Sequence, residues 1–206
     1  MEHLRILYIL LVISVLGLSC KHNVTEPVPD KPIADFPNTV GNFWVYSVLY
    51  GSSVQPETVT VRIVGDTTIL GNMSVKIWQT TNGLYIDTTF VRGSSDTIDF
   101  IPKYFVDLNE GWTRYVFPLE VGKTWRGNYA FDDTSTVVEI DTVSGNAGTF
   151  PNAFLVKESA WSYNFRLWVS TWMVPKVGIV RQNIVVYNFG PLTKTSWELL
   201  RYDVSP

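Results

Sequence analysis

The sequence predicts an all-β protein, an antiparallel barrel or sandwich of curved sheets with two pseudo-repeated halves. Three observations lead to this fold class. Apolar and polar residues alternate along many short segments, turn-forming residues separate those segments, and one motif occurs twice. The motif is F-P-x-x-V-G-x-x-W, which begins at Phe36 in "FPNTVGNFWVY" and at Phe117 in "FPLEVGKTWRG". Alternation with a period of two is typical of half-buried strands.

Residues 1–19 are predicted to form a lipoprotein signal peptide. A short polar start that contains Arg5 precedes an apolar run from Ile6 to Leu18. This run is shorter than the roughly 20 apolar residues that a transmembrane helix needs, but it suits the apolar region of a signal peptide. The sequence therefore predicts export.

Cys20 is the predicted lipidation site. It is the only cysteine of the chain, and it directly follows the apolar run and the small residue Ser19. Acylation explains a single cysteine at this place better than an ordinary secretory signal does. Residues 20–35 would then be the acylated cysteine and a flexible tether, because three prolines interrupt a polar segment without apolar periodicity. Acyl chains on Cys20 would hold the protein at a membrane.

Residues 36–206 are predicted to form a single β domain of about ten short antiparallel strands. In "ETVTVRIVG", for example, Val59, Val61 and Ile63 alternate with polar residues. Similar segments rich in Val, Ile, Thr and aromatic residues continue to the end of the chain, with Gly, Asn, Asp and Ser between them. No window is long enough to indicate an amphipathic helix.

The repeated motif divides this domain into halves of about 36–110 and 117–206. Each half is too short to bury a β core comfortably by itself, so the two halves are expected to share one core. Gly41 and Gly122 would supply a turn that a Cβ atom hinders. The motif is thus interpreted as an entry corner of the fold.

The tryptophans of the corners have two interpretations. Large aromatic residues are ordinary core material in β proteins, so Trp44 and Trp125 are interpreted as core residues. Aromatic faces also bind sugars and apolar molecules, and the alternative is that these two residues line a ligand site. The candidate ligand-lining set is Trp44, Trp125, Trp168 and Trp172.

The domain lacks two residue types that many enzymes use for catalysis, which argues against an enzyme. Residues 36–206 contain no His and no Cys, which removes Ser-His and Cys-His nucleophile pairs and the common zinc, copper and iron sites. A glycosidase needs only two carboxylates, but the glutamates are scattered singly along the domain. We therefore predict no catalytic residues, no metal site and no cofactor.

Charge excludes one further class of partner. The formal net charge is −3, and no basic block or Arg-rich face occurs in the sequence. Nucleic-acid-binding domains carry a concentrated positive patch. The sequence therefore predicts that the protein binds no nucleic acid.

Three features together resemble a recurring type of uncharacterised bacterial envelope lipoprotein. They are the lipobox-like Cys20, the V-G-x-x-W-x-Y start at Val40–Tyr46, and "WMVPKVGIVRQ" at Trp172–Gln182. In such sequences an aromatic residue leads into a G-V-G-[IL]-V-[KR] strand, and Lys176 stands where the first glycine is common. The resemblance implies a curved sheet or barrel at the cell envelope and brings no catalytic residues.

Two functions remain open for an exported protein anchored in this way, with a third behind them. The first is a non-catalytic carrier that holds an apolar or amphipathic ligand within its curved sheet. The second is a structural protein that contacts another envelope component, and the third is a carboxylate-based carbohydrate-active enzyme. The expected location is the outer membrane, facing the periplasm.

Overall fold

The strands of the protein follow one another in a simple meander. A computed structural model describes residues 35–51, 53–69, 72–102, 112–127, 132–163 and 165–205. The predicted signal peptide, Cys20 and the tether up to residue 34 lie outside them. The strands are β1 (Phe43–Tyr50), β2 (Glu57–Ile69), β3 (Met73–Thr81), β4 (Ile86–Gly93), β5 (Thr97–Pro102), β6 (Trp112–Val116), β7 (Thr124–Trp125), β8 (Asp132–Gly145), β9 (Gly148–Ser162), β10 (Phe165–Val174), β11 (Gly178–Asn188) and β12 (Thr193–Asp203).

All twelve strands belong to one antiparallel sheet. Its order is β6-β5-β4-β3-β2-β1-β12-β11-β10-β9-β8-β7, so the first strand pairs with the last and the two edge strands are neighbours in the chain. This confirms the all-β antiparallel prediction. No helix in the part of the chain that the structure describes is long and apolar enough to cross a membrane.

The two edges of the sheet meet, and the sheet is a nearly closed barrel. The amide of Thr113 in β6 donates to the carbonyl of Gly127, just after β7, at 2.9 Å. Arg114 of β6 also reaches across to Glu158 of β9. Gly127 has no side chain because a Cβ atom there would lie 2.9 Å from both a carboxylate oxygen of Asp133 and the carbonyl oxygen of Thr113. These contacts decide for the barrel over the sandwich.

The two F-P-x-x-V-G-x-x-W segments have the same backbone structure. Gly41 and Gly122 both have positive φ, 99° and 90°, with open space where a Cβ atom would be. Backbone conformation, not crowding, therefore accounts for each glycine. The Gly41 amide donates to Ile63 at 2.9 Å, and the Gly122 amide donates to Val137 at 2.8 Å. In return, the Ile63 amide donates to the carbonyl of Asn42, and the Val137 amide donates to the carbonyl of Lys123.

Both segments lie at one end of the barrel, which we call the closed end. Its other described loops include 94–96 and 175–177, and in the latter the Val177 carbonyl accepts a hydrogen bond from the Trp44 indole at 2.7 Å. The rings of Phe36 and Phe117 meet edge to face, 6.0 Å apart. They belong to a buried apolar cluster with Val91, Ile98, Tyr115, Leu119, Val137, Val156 and Met173. The opposite end, the open end, carries the loops 53–56, 82–85 and 189–192 and the turn at Tyr163.

The strands are more numerous and longer than the predicted ten short ones. β9 has 15 residues, and its hairpin with β8 continues beyond the sheet. Register shifts between Val137 and Glu139 and between Asp141 and Val143 bend this hairpin. Its tip comes to lie over the outside of β11 and β12, where Arg181 donates to the Ser144 carbonyl. Each bulge adds a residue to one strand and shifts the alternation, so the sequence pattern does not show how far the strand continues.

Candidate functional site

The open half of the barrel contains a cavity in two adjoining parts. The larger part has a volume of about 310 Å³ and the smaller about 120 Å³. Four residues line both parts: Thr89, Phe100, Ile179 and Gln182. Leu167, Val169, Ile184 and Arg114 complete the larger part, and Tyr46, Val61, Trp78, Thr80 and Trp197 complete the smaller.

Strands from both halves of the chain build this wall. Val169 lies opposite Ile184 in the register of β10 and β11, so both side chains point to the same face of the sheet. The lining is mostly aliphatic and aromatic, with few polar groups, as in sites for small apolar molecules. The geometry suits binding of a ligand with a substantial apolar part.

Trp78 separates the cavity from the closed end. Its ring stacks on Trp44 at 5.2 Å with an interplanar angle of 20°, and on Phe36 at 5.8 Å and 13°. Its indole N–H donates to the side-chain oxygen of Asn38 at 2.9 Å. Because three stacked rings and a hydrogen bond fix it, Trp78 forms a rigid floor for the smaller part of the cavity.

Arg114 and Glu158 place an ion pair beside the larger part of the cavity. One guanidinium nitrogen of Arg114 lies 2.5 Å from each carboxylate oxygen of Glu158, and the two side chains are only 16% and 14% exposed. Burial alone disfavours the charge of Arg114, yet Glu158 and Tyr115 outweigh burial and the pKa of Arg114 is raised. Arg114 is therefore a fixed positive charge whose N–H groups can bind an acceptor.

Two further polar groups lie near the cavity without a hydrogen-bond partner among the described residues. The indole N–H of Trp197, a residue of the cavity wall, has none. The hydroxyl of Tyr115 approaches Arg114 and Thr171 but makes no hydrogen bond of standard geometry. Burial raises the pKa of Tyr115, and the positive charge of Arg114, which lowers this pKa, offsets only part of the rise. Tyr115 therefore stays a neutral phenol at ordinary pH.

The four tryptophans selected from the sequence do not meet at one place. Trp44 is 2% exposed and belongs to the core. Trp125 is half-buried against the cluster of the closed end, and its indole N–H has no partner in the described part of the chain. Trp172 packs against a second apolar cluster and lies beneath the guanidinium of Arg181, 5.8 Å away.

Trp168 lies in a separate groove outside the cavity. It is 43% exposed. The groove has a volume of about 320 Å³, and Ser159, Ala160, Trp161 and Arg166 also line it. The tryptophans that do line the cavity, Trp78 and Trp197, are in ordinary alternating strands. Only their positions on the inner face identify them, and that face is defined by strands distant in sequence.

The buried carboxylates of the described residues are held by structural contacts. Asp99 pairs with Arg92 and accepts a hydrogen bond from the Thr113 hydroxyl. Asp133 accepts from the amide of Gly127 at the seam of the barrel. No group of three or more His, Cys, Asp or Glu among these residues could hold a metal ion. The arrangement can bind and orient a ligand, and the carboxylates stabilise the barrel.

Comparison with known proteins gives the fold a precedent. No family model matches the chain, and no curated protein matches it. A solved structure of a candidate exported protein with a YmcC-like fold from Bacteroides fragilis is similar, with a TM-score of 0.51 and 16% identity. That match covers 84% of this chain and 100% of the other. The chain therefore shares its fold with this protein.

A second solved structure gives a weaker match. It is a candidate lipoprotein from Parabacteroides distasonis, with a TM-score of 0.49 and 13% identity, and the match again covers 84% of this chain and 100% of that one.

Proposed function

We propose that the protein is an exported, lipid-anchored envelope protein that binds an apolar or amphipathic ligand without transforming it. The observation that carries this proposal is the cavity, whose wall is apolar and whose larger part has the Arg114–Glu158 pair beside it. An apolar chain fits against Leu167, Val169 and Ile184, and a polar group of the ligand lies within reach of Arg114. Acylation at Cys20 would anchor the carrier to the outer membrane, facing the periplasm.

The proposal treats the protein as non-catalytic. The domain contains no His or Cys, and the carboxylates nearest the cavity have structural partners. A carboxylate-based glycosidase needs two acids across a cleft, one of them free to give a proton. Glu158 holds Arg114 instead, so this third function has the least support.

The test of ligand binding uses a fluorescent probe. The chain carrying Cys20→Ser, which prevents acylation, is titrated with dansyl-labelled undecanoic acid, and the dansyl emission is measured. We expect saturable binding that oleic acid displaces. Ile184→Phe adds a ring to the cavity wall and is expected to weaken binding at least about tenfold, because overpacking removes the space that the probe occupies.

Val185→Phe is the matched control. Val185 is the next residue of the same strand and lies opposite the exposed Trp168, so its side chain points to the other face. This variant should bind the probe as the parent chain does. Absence of probe binding, or equal losses in both variants with equal thermal stability, would refute the carrier function.

Contact with another envelope component is the second candidate function. One observation favours it: apolar side chains protrude into solvent from the loops of the open end. Exposed apolar side chains that gather at one end of a protein can mark an interaction site. The two functions are compatible because these loops and the cavity involve different residues.

The lipid anchor has its own test. Mass spectrometry of the mature N-terminus should find acyl groups on Cys20, and an unmodified cysteine or cleavage at another residue would refute this part of the proposal.

A further inference from the structure

The exposed apolar residues of the protein concentrate at the open end of the barrel. Among the residues that the structure describes, the six most exposed large hydrophobic side chains are all there, between 61% and 100% exposed. They are Val54, Leu84, Tyr85, Ile86, Tyr163 and Phe189. They come from four hairpins that are far apart in sequence, and Trp161 and Leu192 join them at 55% and 56%. The loops of the closed end expose Val40 and Val121.

We propose that the open end docks on a lipid bilayer by inserting these hairpin tips between the lipids. The proposal goes beyond ligand binding and does not depend on it. The apolar tips are separate from one another around the open end and do not form one continuous face. A fluid bilayer can accept separate apolar points, whereas a protein partner needs a packed complementary surface. Tyrosine and tryptophan at this rim are the residues that prefer the boundary between lipid and water.

The length of chain before the domain permits this orientation. Residues 20–34 connect the predicted anchor to Asp35, which lies at the closed end and begins the described domain. A proline-rich segment of that length spans roughly 47 Å at about 3.1 Å per residue. The eight residues of β1, which run from the closed to the open end, span only about 27 Å at roughly 3.4 Å per residue. The tether can therefore run beside the barrel and leave the open end against the membrane that holds the anchor.

Charges at the open end indicate how the docking works. Exposed Arg166 and Lys194 lie there, but so do Glu57 and Asp87. The described part of the rim is therefore not strongly basic, and we expect attraction to anionic lipids to supply only a small part of the binding. Apolar insertion should dominate, with binding to neutral as well as anionic vesicles and little dependence on salt.

A label at the rim tests the docking directly. Because Cys20 is the only cysteine, the chain carrying Cys20→Ser and Tyr163→Cys takes one environment-sensitive fluorophore at the rim. We expect its emission to shift to the blue on addition of phosphatidylcholine vesicles. The matched control carries Val121→Cys with the same fluorophore at the closed end, and its emission should not change.

Removal of two other tips tests the contribution of apolar insertion. Leu84→Ser with Phe189→Ser, in the chain labelled at residue 163, is expected to weaken vesicle binding at least about tenfold, since each residue contributes transfer of a large apolar side chain. Val121→Ser should leave binding unchanged. Circular dichroism and thermal unfolding show whether the variants keep the fold, as expected for exposed loop positions.

Three results would overturn the proposal. The first is no spectral shift of the rim label with any vesicle. The second is binding to anionic vesicles alone, abolished by salt, which would indicate electrostatic adsorption. The third is a label that responds to a purified envelope protein and not to lipid, which would assign the rim to a protein partner.

Discussion

Replacement of the two corner tryptophans is expected to have very different effects on stability. Trp44 is 2% exposed, stacks on Trp78, and donates a hydrogen bond of 2.7 Å to the Val177 carbonyl. Trp125 occupies the equivalent position but is half-buried and has no hydrogen-bond partner among the described residues. The sequence context of the two residues is the same, so the difference in free energy of unfolding comes from their packing.

The expected magnitudes follow from that packing. Trp44→Ala should lower the free energy of unfolding by about 4–5 kcal/mol, the upper part of the range for a buried aromatic residue, because the Val177 carbonyl also loses its donor. Trp125→Ala buries less and breaks no hydrogen bond, so we expect about 1.5–2.5 kcal/mol. Trp44→Phe keeps a ring in the stack and should cost about 1–3 kcal/mol, mainly for the lost N–H donor.

Urea unfolding followed by far-ultraviolet circular dichroism measures these differences in the chain carrying Cys20→Ser. Circular dichroism is preferable to tryptophan fluorescence because each substitution removes one of the eight tryptophans and so changes the fluorescence signal itself. If Trp44→Ala fails to fold, the comparison rests on Trp44→Phe against Trp125→Phe, which should be nearly neutral. Equal losses at the two positions, or a loss below about 2 kcal/mol for Trp44→Ala, would contradict the assignment of Trp44 to the core.

Three further predictions concern the seam, the ion pair and pH. Gly127→Ala should lower the urea midpoint, since its Cβ atom would press against a carboxylate and a carbonyl at 2.9 Å, whereas Gly65→Ala meets nothing within 4 Å and should have little effect. Arg114→Leu or Glu158→Leu alone should each cost about 2–4 kcal/mol by leaving a buried charge unpaired, and the double variant should cost less than their sum in a double-mutant cycle. Burial raises the pKa of Tyr46 above its ordinary 10.0, so the folded chain keeps a proton that the unfolded chain loses. The stability from this group is full below about pH 10 and falls as the pH rises above it, and Tyr46→Phe should reduce the fall in urea midpoint between about pH 9 and 11, while the exposed Tyr163→Phe should not.

Local patterns in the sequence account for much of the fold. The alternation around Val59–Ile63 predicts a strand, and the corner glycines predict turns, because each depends on residues close in sequence. The length of the β8–β9 hairpin was not predicted, because each bulge places two residues opposite one and shifts the alternation along the strand. Alternation also separates the two faces of a strand, but it does not say which face meets a cavity.

The residues that line the cavity could not be predicted, because alternation does not show which strands meet across the barrel. Arg114 meets Glu158 across 44 residues of chain, and the Tyr46 hydroxyl donates to Ile179 across 133. Such pairs follow from closure of the sheet, which a period of two does not specify. Trp78 and Trp197 look like any aromatic residues of a strand, whereas Trp44 and Trp125 stand out because their motif recurs. The repeated motif therefore identified residues that the corners need for their structure, and it did not identify the residues of the cavity wall.

The direction of the strands explains why the repeated motif and the cavity lie at opposite ends. In an antiparallel meander, strands that are an even number apart run the same way, so β1 and β7 both leave the same end of the barrel. Each motif precedes one of these strands, which brings Phe36 and Phe117 together and fills that end with aromatic rings. The hairpins of the other end carry no copy of the motif and are free to differ in sequence. Stability can therefore be specified by the repeated corners, while the apolar tips and the cavity wall stay free to serve the proposed binding roles.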